Sequence, residues 1–176
     1  SDWTENSVTL TVNASDSASG LAALPYSFDG GATWQSSNAK IYDANTNGIA
    51  VKVKDNVGNI AAYDLVDITK IDKTAPVISS VTDNPLDWTG NSVTLTVNAS
   101  DAASGLAPEA YSFDGGATWQ SSNAKTYDAN INGIALEVKD SVGKIATYDP
   151  INITKIDKTA PVISSVTGNP SNWTGN

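Results

Sequence analysis

The side chains of this sequence that could do chemistry are carboxylates and hydroxyls. The 176 residues include no His, Cys or Met, and every positive charge is a Lys. Imidazole bases, thiolate nucleophiles, disulfides and zinc thiolate sites are therefore excluded. The remaining groups suit two uses: a pair of carboxylates for glycoside hydrolysis, or a cluster of oxygen ligands for a hard cation.

The octapeptide SFDGGATW is the strongest candidate for the first use, and it occurs at residues 27–34 and 112–119. It fits the pattern SxDxGxTW and resembles the Asp-box hairpin of sialidases. In those enzymes the box is a surface turn away from the catalytic centre, and arginines hold the substrate carboxylate. Because this chain has no Arg, the resemblance implies a structural turn and no glycosidase activity.

The residue types of the octapeptide also predict a turn on physical grounds. Gly30 and Gly31 permit the positive φ angles of a tight hairpin, and Asp29 can accept hydrogen bonds from the turn amides. We expect Trp34 to pack across the hairpin beside Phe28 or Tyr26.

The chain is an internal repeat with a period of 85 residues. Of the 84 positions from 2 to 85, only 16 differ from the residue 85 positions later, and residues 169–176 begin a third copy. A tandem array usually provides length or valency, so the repeat predicts a protein without enzymatic activity.

Within one repeat the apolar residues alternate, as they do in half-buried strands. Residues 92–99 place Val93, Leu95 and Val97 on one face, and residues 134–139 do the same with alternate positions. About seven short strands separated by turn clusters predict an all-β fold of tandem immunoglobulin-like or fibronectin III-like sandwiches with antiparallel strands. The other predicted strands are residues 76–82, 110–113, 118–120, 124–127 and 145–156.

Several motifs of the repeat resemble those of bacterial immunoglobulin-like repeats from large surface adhesins and secreted, cell-wall-associated proteins. The resemblance implies a rod of sandwiches exposed outside the cell, and in several such families calcium stiffens the junctions between modules. The motifs are VKDNVGN and VKDSVGK (residues 53–59 and 138–144), IDKTAP (71–76 and 156–161) and ASDxxSGL (14–21 and 99–106).

We divide the chain into a first module (residues 1–73), a second module (74–159) and the opening strand and turn of a third (160–176). The first module lacks an equivalent of PVISSVT, which opens the second module at residues 76–82 and recurs at 161–167. An open sheet edge beside a spare matching strand permits strand donation between molecules. We expect residues 160–167 to add to the first module of another chain, head to tail, or to be poorly ordered.

Sandwich topology predicts where the carboxylates converge. The loops that follow the second and sixth strands should lie side by side where the preceding linker arrives, which brings together Asp72, Asp101 and Asp140. Such a cluster matches the preference of calcium (Ca2+) for oxygen ligands. The alternative is that each Asp only accepts hydrogen bonds from its own turn. The equivalent candidate ligands elsewhere in the array are Asp16, Asp55 and Asp157.

The leading functional hypothesis is a structural spacer, and the alternative is an adhesive module that binds a glycan or a host protein. The indoles of Trp3, Trp88 and Trp173 could stack on a sugar, although we favour a role in covering the core or the junction. The net charge of −9 argues against nucleic acid as a partner. Since no run of 18 apolar residues occurs, we expect no membrane span.

Overall fold

A computed structural model describes residues 3–168, and its strands confirm the predicted all-β class. No helix occurs in that range, and every strand pair is antiparallel. The strands are β1 (Val8–Thr11), β2 (Leu21–Ser27), β3 (Ala39–Tyr42), β4 (Thr46–Ile49), β5 (Lys52–Asp55), β6 (Ile60–Ala62), β7 (Val66–Ile68), β8 (Val77–Thr82), β9 (Val93–Ser100), β10 (Leu106–Ser112), β11 (Ala124–Tyr127), β12 (Ile131–Ile134), β13 (Glu137–Asp140), β14 (Ile145–Thr147) and β15 (Ile151–Ile153).

Each sheet of the described residues takes its strands from one module. The second module has sheets ordered β11-β9-β8, β10-β13-β14 and β12-β15, and the first module has β1-β3, β2-β5-β6 and β4-β7. The two sets correspond strand for strand, except that β1 has no counterpart of β8 on its other edge. Residues 161–168 are exposed and belong to no strand.

The structure divides the predicted strand at residues 134–139 into two. β12 pairs with β15, while β13 pairs with β10 and β14, so the chain passes from one sheet to another between them. The inward positions keep their period across the break, since Ile134, Leu136 and Val138 are 2%, 1% and 0% exposed. Alternation therefore identified the buried face but not the change of sheet, which depends on the partner strands. The predicted segment 118–120 contributes only an isolated bridge between Gln120 and Tyr111.

The SFDGGATW segments form tight turns in both modules. Gly30 and Gly31 have φ angles of 73° and 95°, as the turn requires. The Asp29 carboxylate accepts hydrogen bonds from the Thr33 amide (2.9 Å) and the Thr33 hydroxyl. The Thr33 hydroxyl is the main cause that lowers the Asp29 pKa. The motif is used to build the turn, which agrees with the structural interpretation.

A lysine lies over the tryptophan ring of each turn, and the sequence analysis did not predict this contact. Lys54 Nζ lies 4.3 Å from the centroid of a Trp34 ring, and Lys139 Nζ lies 4.2 Å from that of Trp119. These lysines occupy the outward strand positions, so the contact covers the ring from the solvent side.

Removal of the buried serine hydroxyl of either turn is expected to weaken the module that contains it. Ser112 is 1% exposed; its Oγ accepts a hydrogen bond from the Gly116 amide (2.9 Å) and donates one to Asp114 (2.8 Å). Ser112→Ala leaves the Gly116 amide without its partner, whereas Asp114 keeps its hydrogen bonds from Thr118; the loss should cost about 1–3 kcal/mol. Ser27 has the same exposure and equivalent contacts, so Ser27→Ala should have a similar effect on the first module. Urea unfolding measures both, and an unchanged midpoint would contradict the role.

Candidate functional site

The loops that follow β9 and β13 lie side by side, as the topology predicts. The Ser141 amide donates to the Gly105 carbonyl (2.9 Å), and the Ser141 hydroxyl donates to the same oxygen (3.1 Å). In the first module Asn56 takes the place of Ser141, and its backbone amide donates to the Gly20 carbonyl (3.0 Å). The pairing of these two loops is thus a property of the repeat.

The linker residue Asp72 contacts both modules. Its backbone amide donates to the Thr4 carbonyl of the first module (2.9 Å). Its Oδ1 accepts hydrogen bonds from the Thr74 amide (3.0 Å) and hydroxyl (2.7 Å), and its Oδ2 accepts one from the Ser104 amide (3.0 Å) in the second module. In the first module the equivalent amide, that of Ser19, is capped by Asp16 of its own loop (2.8 Å). At the junction, therefore, the linker carboxylate takes over a contact that the loop otherwise makes internally.

Three carboxylates meet at this junction. One oxygen each from Asp72, Asp101 and Asp140 lies within 4.8 Å of the others. Asp72 is 2% exposed and Asp140 1%, while Asp101 is half-buried. Carboxylates that are buried and this close repel one another unless a cation or hydrogen bonds compensate.

The turns use one oxygen of each loop carboxylate. Asp101 Oδ1 accepts hydrogen bonds from the amides of Ala103 (3.1 Å) and Gly105 (2.8 Å). Asp140 Oδ1 accepts them from the amides of Val142 (2.9 Å) and Lys144 (2.7 Å). The hydrogen bonds of the alternative interpretation, in which each Asp caps its own turn, are therefore present, and they use Oδ1 of each carboxylate.

The second oxygen of Asp140 is left without a partner. Asp140 Oδ2 is buried and accepts no hydrogen bond within the described residues. In the first module the equivalent oxygen, Asp55 Oδ2, accepts a hydrogen bond from the Asn59 side chain (2.7 Å). The residue 85 positions after Asn59 is Lys144, so the exchange of one side chain removes the partner of a buried carboxylate oxygen.

Lys144 instead forms an ion pair across the junction. Its Nζ lies 2.7 Å from Glu5 Oε2 of the first module. Glu5 is the principal cause that raises the Lys144 pKa, and the carboxylates of Asp140 and Asp72 add to it. No Lys within residues 3–168 forms a salt bridge with any of the three clustered carboxylates. Within the described residues the cluster therefore has no direct cationic partner.

Sequence reasoning missed the Glu5–Lys144 pair, although the sequence contains a signal for it. Glu5 corresponds to Gly90 in the second module, and Lys144 corresponds to Asn59 in the first. Two of the 16 differences between the copies thus introduce opposite charges at positions that face each other across the junction.

Burial and hydrogen bonding act in opposite directions on Asp72. Burial raises its pKa, but the polar contacts from Ser104 and Thr74 outweigh burial and lower the pKa to about 2. Asp72 is therefore charged at neutral pH, which is the state that a metal ligand requires.

The other candidate ligands are not brought into such a cluster. Among the described residues no group of three acidic side chains includes Asp16, Asp55 or Asp157. Asp16 and Asp55 are at the equivalent loops of the first module, where the described chain contains no linker carboxylate. Asp157, the counterpart of Asp72, is exposed, and its carboxylate accepts hydrogen bonds from Thr159 only a few residues away.

The two described tryptophans of the candidate sugar-binding set differ in exposure. Trp88 is 64% exposed, and Lys155 Nζ lies 5.1 Å from its ring centroid. Trp3, which precedes the bridge between Thr4 and Ile71, is half-buried and lies 5.1 Å from Lys70 Nζ. Trp173 is outside the described residues. A lysine on the ring leaves less aromatic surface for stacking on a sugar.

Comparison with protein-family models, curated proteins and solved structures found no match to this chain. Residues 3–168 contain no helix of the length and apolar character needed to cross a membrane.

Proposed function

We propose that this chain is a non-enzymatic spacer from a bacterial surface or secreted protein. Its modules are immunoglobulin-like sandwiches, and Ca2+ bound between them fixes their relative orientation. The corresponding sheets of the two modules and the motifs that resemble those of bacterial surface repeats support the first part. The three carboxylates at the junction support the second.

The observation that carries the proposal is the position of Asp72. Its backbone is held by Thr4 of the first module, and its side chain caps Ser104 of the second. A cation held by Asp72 would therefore connect the linker to both loops of the next module. Such a ligand stabilises the junction as a unit, because all three carboxylates must be in place to bind it.

The donor set suits calcium. Ca2+ binds oxygens at about 2.3–2.6 Å, so two ligands of one ion lie at most about 5 Å apart. The spread of 4.8 Å is within that limit. Asp140 Oδ2, which lacks a protein partner, would gain one in the cation. Backbone carbonyls and water would complete the 6–8 ligands that calcium takes.

Titration calorimetry with Ca2+ tests the site. We expect the parent chain to bind one Ca2+ at the junction, and Asp140→Asn to weaken binding by at least about tenfold, since the amide removes a charged ligand while it preserves the shape of the side chain. Asp157→Asn is the matched control, because Asp157 is the exposed counterpart of Asp72; it should bind like the parent. Equal binding by Asp140→Asn, or no binding at millimolar Ca2+, would contradict the site, and parallel titration with Mg2+ tests ion selectivity.

Residual dipolar couplings in solution test the spacer itself. With Ca2+ both modules should fit one alignment tensor, whereas chelator or Asp140→Asn should give two different tensors. Two tensors in saturating Ca2+ would show that the bound ion does not fix the junction, and the proposal of a rigidified spacer would then be wrong.

A further inference from the structure

The loops that follow β5 and β13 share their backbone contacts but end on different side chains. In the first module the Asn59 backbone amide donates to Asp55 Oδ1 (2.7 Å), and the Asn59 side chain donates to Asp55 Oδ2 (2.7 Å). In the second module the Lys144 backbone amide donates to Asp140 Oδ1 at the same distance (2.7 Å). A side chain at this position of the loop can therefore reach the second oxygen of the carboxylate, as that of Asn59 does.

Lys144 has the reach and the charge to take the place of Asn59. Lysine carries its nitrogen farther from the backbone than asparagine does, on a flexible stem and with three donors. Glu5 is the main cause of its raised pKa, and Asp140 and Asp72 add to it. The ammonium group therefore already lies within the electrostatic field of the two buried carboxylates.

In the structure Glu5 holds this ammonium outside the carboxylate cluster, which consists of Asp72, Asp101 and Asp140. Glu5 Oε2 lies 2.7 Å from Lys144 Nζ, while Asp140 Oδ2 is buried and has no partner among the described residues. Glu5 is exposed, so water screens its charge more than that of a buried carboxylate. Without the charge of Glu5, the buried oxygen of Asp140 is the unpartnered acceptor that remains for Lys144.

We propose that Lys144 is a tethered cation that competes with a divalent ion for the carboxylate cluster, and that Glu5 is the positioning residue that prevents this competition. The ammonium and the ion would share one ligand, Asp140 Oδ2. This inference rests on the proposed calcium site. Because Glu5 belongs to the first module and the cluster to the linker and the second, the site binds its ion tightly only when the two modules are docked.

Crystal structures grown in chelator test the competition directly. In Glu5→Gln the Lys144 ammonium should lie within about 3 Å of Asp140 Oδ2, the distance of a charge-assisted hydrogen bond. In the parent it should stay on Glu5. Since Glu5 is exposed, its replacement leaves the fold of the first module intact. An ammonium that lies on Asp140 in the parent, or away from Asp140 in Glu5→Gln, would overturn the proposal.

Calorimetric titration with Ca2+ measures the consequence for affinity. Glu5→Gln should raise the Kd by at least about tenfold, the result if the ammonium occupies the cluster for about nine-tenths of the time. Lys144→Met should bind at least as tightly as the parent, and Glu5→Gln with Lys144→Met should bind like Lys144→Met alone. Asp128→Asn, which breaks the exposed pair with Lys158 (3.4 Å), is the matched control and should leave the Kd unchanged.

The signs of these effects separate the proposal from a purely structural ion pair. If the pair only joins the modules, Glu5→Gln and Lys144→Met should weaken Ca2+ binding equally, and that result would overturn the role of Glu5. Failure of the calcium site is a different outcome. A parent that binds no Ca2+ would contradict the proposed function, whereas the position of Lys144 in chelated Glu5→Gln would still support or overturn the competition, because that measurement requires no metal.

Discussion

Replacement of Leu95 by Ala is expected to destabilise the second module by about 2–5 kcal/mol, the range for a buried leucine that leaves a cavity. Leu95 is 0% exposed and lies in the core cluster with Val97 and Val138. Leu10, the same residue in the first module, is only half-buried and lines an open groove together with Val51 and Val66. Leu10→Ala should therefore cost clearly less, because solvent already reaches that side chain and the truncation enlarges an existing opening.

Urea unfolding followed by hydrogen exchange and mass spectrometry measures the two modules separately. Peptides that contain Ile41 or its counterpart Thr126 differ in mass, so each module has its own reporter. Equal losses from the two leucine variants would contradict the difference in packing between the modules.

The repeat and the alternation in the sequence predicted the all-β class and the buried faces of the strands. Alternation in residues 92–99 identified the side chains that the structure buries, including Leu95 and Val97. It could not locate the break between β12 and β13, because Ile134 and Val138 are buried on either side of it. The sheet to which a segment belongs is determined by the strands that pair with it, and the alternation within one segment does not identify those partners.

The candidate site was predictable to the level of which loops meet. Strand direction alone brings the loops after β9 and β13 to the linker, and this predicts the convergence of Asp72, Asp101 and Asp140. The unpartnered oxygen of Asp140 was not predictable from the pattern. It depends on the orientation of Lys144, whose ammonium turns to Glu5 of the other module, and only the relative placement of the modules determines that contact.

Turn chemistry and metal binding are compatible at this junction. The amides of each loop turn engage Oδ1 of Asp101 and Asp140, which fixes the orientation of the carboxylates before any ligand arrives. A ligand group that is held in position loses little conformational freedom when it binds. The hydrogen bonds by which each Asp caps its own turn would therefore also prepare the site for a cation.

Calcium is expected to raise the midpoint of thermal unfolding of the second module by about 10 °C or more at neutral pH. A ligand at a hundredfold its Kd stabilises the folded state by about 2.7 kcal/mol, and 1 kcal/mol shifts the midpoint of a 60–100-residue domain by about 4–8 °C. Asp140→Asn should abolish most of this shift, whereas Asp55→Asn at the equivalent loop of the first module should leave the second module unaffected.

The stabilisation by calcium should disappear in acid, and the lowered pKa of Asp72 sets the direction of this pH dependence. Its folded pKa is lowered to about 2, below the unfolded value of about 3.9. Its contribution to stability is thus fully present above about pH 4 and is lost as pH falls toward 2. Because calcium competes with protons for the same carboxylates, the calcium-dependent shift should shrink across that window as well. Calorimetric scans from pH 7 to pH 2, with Ca2+ and with chelator, measure both effects. A shift that persists undiminished at pH 2 would mean that these carboxylates do not bind the ion.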